Sequence, residues 1–176
     1  MGADRLMVRA FVRLGLVIVV VLLLQLSLIS EMHLFTATGD ILLLLAISAG
    51  IAAGPEWGAL TGFIAGIAFD LVLQTPFGLS ALSYCMVGYV VGRVQTGILR
   101  AAWWVPMVTA AIASAAGVVL FAVLEALLGD THVFDRRLLS VIAVVSILNA
   151  LLVPPMIRVF RWVFAEDALH QTRVWQ

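Results

Sequence analysis

The stretch that decides how this chain is read runs from Gly54 to Arg93: GPEWGALTGFIAGIAFDLVLQTPFGLSALSYCMVGYVVGR. Within it Gly54, Gly58, Gly62, Gly66 and Asp70 recur every four residues. Four steps of about 100° return to nearly the same face of a helix. The spacing therefore predicts a helix whose glycine groove ends in a carboxylate. Pro55 suits its first turn, and Thr75-Pro76-Phe77-Gly78 reads as the turn that closes it. A second helix follows, with Ala81, Cys85, Gly88 and Gly92 forming a small face of its own. Such faces let backbones approach closely enough for van der Waals packing to drive association in lipid. Gly58, Gly62, Gly66, Gly88 and Gly92 are thus candidate contact residues. The two helices pack either against each other or against a neighbour.

Composition says what surrounds these helices. The chain has 176 residues, 64% of them hydrophobic and 11% charged, with a mean hydropathy of +1.16. A soluble domain carries about 25% charge. A core this small cannot hide so much apolar surface from water, so lipid is the expected solvent. Crossing the hydrocarbon takes about 20 helical residues. Apolar runs at 10–30, 40–54, 57–74, 79–94, 101–128 and 138–164 predict an all-α integral membrane domain of about six transmembrane helices. Residues 165–176 form a polar tail. The second run would span only about 22 Å. It either crosses a thinned bilayer or forms a re-entrant hairpin with the third. Pro154-Pro155 predicts a kink in the last run.

Arg5, Arg9 and Arg13 precede the first run as in a secretory signal. That run is long and no small-x-small site follows it, so a retained first helix is expected. All ten basic residues are Arg. With both termini cytoplasmic, only Arg136 and Arg137 fall outside, which is the arrangement the positive-inside rule favours. Net charge is zero, and no nucleic-acid footprint appears.

Asp70 is the most informative single residue, because an ionisable group within a spanning helix usually faces protein or water. In this topology Asp40, Gln74 and Glu125 share its outer polar layer. That layer is either a pocket or partner-contact site, or Asp70 caps a turn and meets headgroups. Arg93 reads as an inner-face anchor, Asn149 as an interhelical hydrogen-bonding amide, and Trp57, Trp103, Trp104 and Trp162 as an aromatic belt. No catalytic, cofactor or metal site is expected. His33, His132 and His170 lie outside the apolar runs without metal-ligand spacing. Cys85 lacks the neighbours a thiol nucleophile needs, and the absence of Lys excludes a P-loop.

Taken together, these residues resemble the MreD family of rod shape-determining proteins. The likeness is carried by Asp40, Trp57-Gly58 through Gly62-Phe63, Asp70-Leu71, Pro76-Phe77-Gly78 and Gly88-Tyr89-Val90-Val91-Gly92-Arg93. Gly39 stands where that family often has Pro. The motifs cover under a third of the chain, and length and hydropathy match over the rest. The resemblance implies a bundle similar to the S-components of energy-coupling-factor (ECF) transporters. It implies a non-enzymatic scaffold in the bacterial inner membrane, serving cell elongation and peptidoglycan synthesis. It further implies MreC as partner and, through MreC, the elongation penicillin-binding protein, RodA and MreB; a homo-oligomer is also compatible. The alternative is a small-molecule- or lipid-binding transport module of the S-component type, with a pocket near Asp40, Asp70 and Glu125.

Overall fold

A computed structural model describes residues 2–31, 40–73, 78–98, 104–129 and 137–163. These form six helices: α1 (Gly2–Glu31), α2 (Ile41–Ala53), α3 (Pro55–Leu73), α4 (Leu79–Ile98), α5 (Val105–Leu127) and α6 (Arg137–Val163). The protein is an all-α membrane protein. By length and composition, segments of α1 (Val8–Ser27), α5 (Val105–Leu127) and α6 (Leu138–Val163) can each cross a bilayer. Their outward residues are bare hydrocarbon: Leu16, Leu23 and Leu151 are each 60% exposed and Leu139 74%. Water would not tolerate so continuous an apolar surface, whereas acyl chains are its natural neighbour.

At the centre stands α2. Every residue from Leu42 to Gly50 is buried, and all five other helices touch it. A helix that is apolar all round belongs inside a bundle, so shortness is no handicap here. Its 13 residues reach about 20 Å, against a hydrocarbon thickness of about 30 Å. The missing length lies at its start. Asp40, ahead of α2, bonds to Asn149, and Asn149 bonds to Ser114. Those two partners sit near the middles of α6 and α5. The helix thus begins level with the middle of its neighbours, deeper than the outer-end position expected for Asp40.

Two glycines at the ends of α3 have conformations that side chains disfavour. Gly54, between α2 and α3, has φ 94°, and Gly78, before α4, has φ 96°. Glycine occupies this region without steric cost. Pro55 opens α3 directly after the first of them, and Pro106 sits in the first turn of α5. Both lack an N–H where none is needed. The last helix runs through Pro154 and Pro155.

Candidate functional site

The most closely packed part of the molecule is the antiparallel pair α3 and α4. A methyl group added at Gly58 would run into the Gly88 carbonyl, and one at Gly62 into the Tyr84 carbonyl. One at Gly66 would meet the Ala81 backbone, one at Gly88 the Gly58 carbonyl, and one at Gly92 the Pro55 backbone. These pairs keep a single register along the seam, with backbone lying directly on backbone. The third helix in contact is α2, where a Cβ at Gly50 would stand 2.6 Å from the Gly88 carbonyl oxygen. The glycine faces are therefore turned toward each other, so the open alternative of an outside neighbour does not describe this seam. A partner helix could reach it only by separating α3 from α4.

Asp70 continues the same face one turn after Gly66, at the point where α4 begins. The first amides of a helix have no intrahelical acceptor, and the carboxylate supplies one. Asp70 Oδ2 accepts from Gly78 N at 2.9 Å and Ala81 N at 3.4 Å, and Oδ1 from Ser80 N at 3.2 Å. The side chain is 2% exposed. Favourable interaction with the positive end of the α4 dipole adds to these bonds. The four-residue period thus has one physical explanation. Small residues occupy the positions where two backbones touch, and an acceptor occupies the position where the second backbone starts.

The second polar site gathers around Asp40. Its Oδ1 accepts from Leu43 N at 3.0 Å, which caps α2. Its Oδ2 accepts a short hydrogen bond from the Tyr84 hydroxyl on α4. The Asp40 carbonyl accepts from Leu44 N at 3.1 Å and from Asn149 Nδ2 at 3.4 Å. Asn149 Nδ2 also donates to Ser114 Oγ at 2.8 Å. From α1, Gln25 Oε1 accepts the Leu42 amide at 3.2 Å. Gln25, Ser114 and Asn149 are 2%, 0% and 0% exposed. Side chains from α1, α4, α5 and α6 thereby converge on the first turn of α2. In a low-dielectric interior an unpaired member of such a network is costly.

The remaining candidates lie apart. Arg93 is exposed on α4 beside Gly92, and Glu125 is half-buried in the last turn of α5. Gln74, Pro76, the histidines and the 165–176 tail lie outside the described residues. Three members of the Asp40 network escaped the sequence reading: Gln25, Tyr84 and Ser114. Gln25 carries a usable signal, because a lone amide in an apolar run needs a partner. Gly50 was also missed as a member of the seam.

Next to the seam is a groove of ≈ 480 Å³ with an apolar wall of Phe63, Ile67, Gly78, Ala81, Leu82 and Cys85. Phe63 and Leu82 are half exposed, at 48% and 49%. Among the described residues no cluster of His, Cys, Asp or Glu could hold a metal ion.

A family model described as rod shape-determining protein MreD matches residues 5–163. No curated protein matches, and no solved structure matches.

Proposed function

The chain belongs to the MreD family and so takes part in rod shape determination; on that premise we propose that it is a non-enzymatic, multi-pass scaffold subunit of the bacterial inner membrane. The match over residues 5–163 is the observation that carries this reading. In it the chain binds the membrane helix of MreC. Through MreC it biases the elongation penicillin-binding protein, RodA and MreB toward coordinated peptidoglycan synthesis.

The geometry favours the groove beside the glycine seam as the docking surface. Its floor is small (Gly78, Ala81, Cys85) and its flanks are large (Phe63, Ile67, Leu82). A single helix can place one row of side chains in such a groove, and packing then drives association in lipid. The rigid α3–α4 pair beneath it reduces the ordering cost of docking. An S-component-like ligand pocket has less support. Asp40, Tyr84, Gln25 and Asn149 are engaged with one another and with the start of α2.

Cys85 is the only cysteine in the chain and lines this groove, so it is a native cross-linking handle. In membranes carrying MreC with single cysteines along its membrane helix, Cys85 should cross-link with helical periodicity. Phe63→Ala/Leu82→Ala should reduce co-purification of MreC several-fold while leaving the folded yield unchanged. Absence of any Cys85 adduct, with co-purification intact in the double variant, would remove the groove from the interface.

A further inference from the structure

At the arginine-rich end of the bundle, α1 and α6 are joined by a contact outside both polar sites. Arg13 Nη1 donates to the Trp162 carbonyl at 3.4 Å, and the guanidinium carbon lies 4.9 Å from the centroid of the Trp162 ring. This stacking orients the guanidinium and holds the two helix ends together. Arg9 lies one turn before Arg13 on the same face of α1, and Arg158 and Arg161 lie one turn apart on α6. Arg9, Arg158, Arg161 and Trp162 are exposed, and Arg13 is half-buried. Neither helix offers an acid nearby. α6 contains no Asp or Glu at all, and α1 has none from residue 5 to residue 30.

We propose that this α1–α6 junction is a binding site for the phosphate headgroup of an anionic phospholipid. Converging guanidinium groups repel one another until an anion lies between them. A phosphate accepts paired, parallel hydrogen bonds from Arg in a geometry Lys cannot match. Basic pockets between helix ends at the cytoplasmic surface are suited to anionic headgroups. The exposed Trp162 ring stands at headgroup level, as an interfacial tryptophan does. The anion is a lipid because the arginines border bare hydrocarbon. Leu16, one turn from Arg13, and Leu151, two turns from Arg158, are each 60% exposed. An acyl chain can lie along that surface while the phosphate meets the arginines.

The test uses the full chain in neutral detergent, offered equimolar phosphatidylglycerol and phosphatidylcholine with the same acyl chains. Bound lipid is counted by native mass spectrometry. The wild-type chain should retain phosphatidylglycerol in preference, and Arg13→Gln/Arg161→Gln should reduce that preference about tenfold. Arg136→Gln/Arg137→Gln removes the same charge from the opposite end of α6 and should keep it. If the Arg13/Arg161 variant aggregates, Arg9→Gln/Arg158→Gln, which spares the Trp162 stack, is measured instead and should show the same loss. Three results would each overturn the proposal. The wild-type chain shows no preference; the opposite-end variant loses as much as the junction variant; or millimolar inorganic phosphate displaces the lipid, which would make this a site for a soluble anion.

Discussion

The α3–α4 seam and the Asp40 network solve the problem of joining helices in lipid by opposite means. In the seam, glycines remove side chains until carbonyls and Cα atoms touch, and dispersion supplies the attraction. In the network, side chains from α1, α4, α5 and α6 extend toward one helix start and hold it by hydrogen bonds. A seam of this kind tolerates almost no added atom, because a backbone cannot rotate away. A network tolerates shape changes better but depends on the number of bonds it keeps. The comparison predicts that substitutions which add atoms will be worst in the seam. Those that remove a polar group will be worst around Asp40.

The sharpest way to break the comparison is Gly66→Leu. A first carbon there already meets the Ala81 backbone, and the rest of the side chain has nowhere to go. The loss should exceed about 4 kcal/mol, beyond ordinary overpacking. Little folded protein should survive size-exclusion chromatography in detergent. A Gly66→Leu chain with wild-type yield and thermal stability would mean that α3 and α4 do not meet at this register. The structure also changes what such a variant reports. Loss of MreC co-purification after Gly62→Leu or Gly66→Leu would reflect a broken seam, so the docking surface is better tested at Phe63 and Leu82.

Around Asp40 the informative change removes one atom. Tyr84→Phe deletes the hydroxyl that donates to Asp40 Oδ2. The carboxylate keeps the Leu43 amide and loses its only described donor from α4. We expect a loss of about 1–2 kcal/mol, the range for a buried bond to a charged acceptor in a membrane bundle. Thermal unfolding in detergent should therefore shift downward while the yield of folded protein holds. A drop as severe as that of Gly66→Leu would erase the proposed distinction between the two regions.

The two regions also differ in how far the sequence revealed them. The seam joins consecutive helices, so its two faces occupy one continuous stretch and its period is visible along the chain. Gly58, Gly62, Gly66, Gly88 and Gly92 could be picked out before any coordinates, although their mutual pairing could not. Asp70 was visible as an acid in an apolar run, but its partners, the amides of Gly78, Ser80 and Ala81, are main-chain groups without a sequence signature. The Asp40 network is non-local. Gln25 and Asn149 lie far apart in the chain, and no periodicity connects a residue of α1 with one of α6. The depth of α2 was hidden for the same reason, since it is fixed by contacts with Ser114 and Asn149.

The smallest effect gives the finest test, because it places a glycine of each kind beside the same central helix. At Gly117 on α5 a Cβ would stand 2.8 Å from Leu43 Cδ2, the far end of a flexible side chain. At Gly50 on α2 it would stand 2.6 Å from the Gly88 carbonyl oxygen and 3.1 Å from Gly92 N, both backbone atoms. Alanine gains about 1 kcal/mol of helix propensity over glycine at either position. At Gly117, Leu43 can shift its terminal methyl groups, so gain and cost should nearly cancel, leaving a change within about 0.5 kcal/mol. At Gly50 the opposing backbone belongs to α4, which the α3 glycines and Asp70 already hold in place. Relief there would require moving the whole helix, so Gly50→Ala should cost about 2 kcal/mol. The two single-methyl variants, unfolded side by side in the same detergent, should therefore separate clearly. Equal stabilities would mean that the α2–α4 contact yields as easily as a leucine side chain, and the rigidity assigned to the seam would not extend to α2.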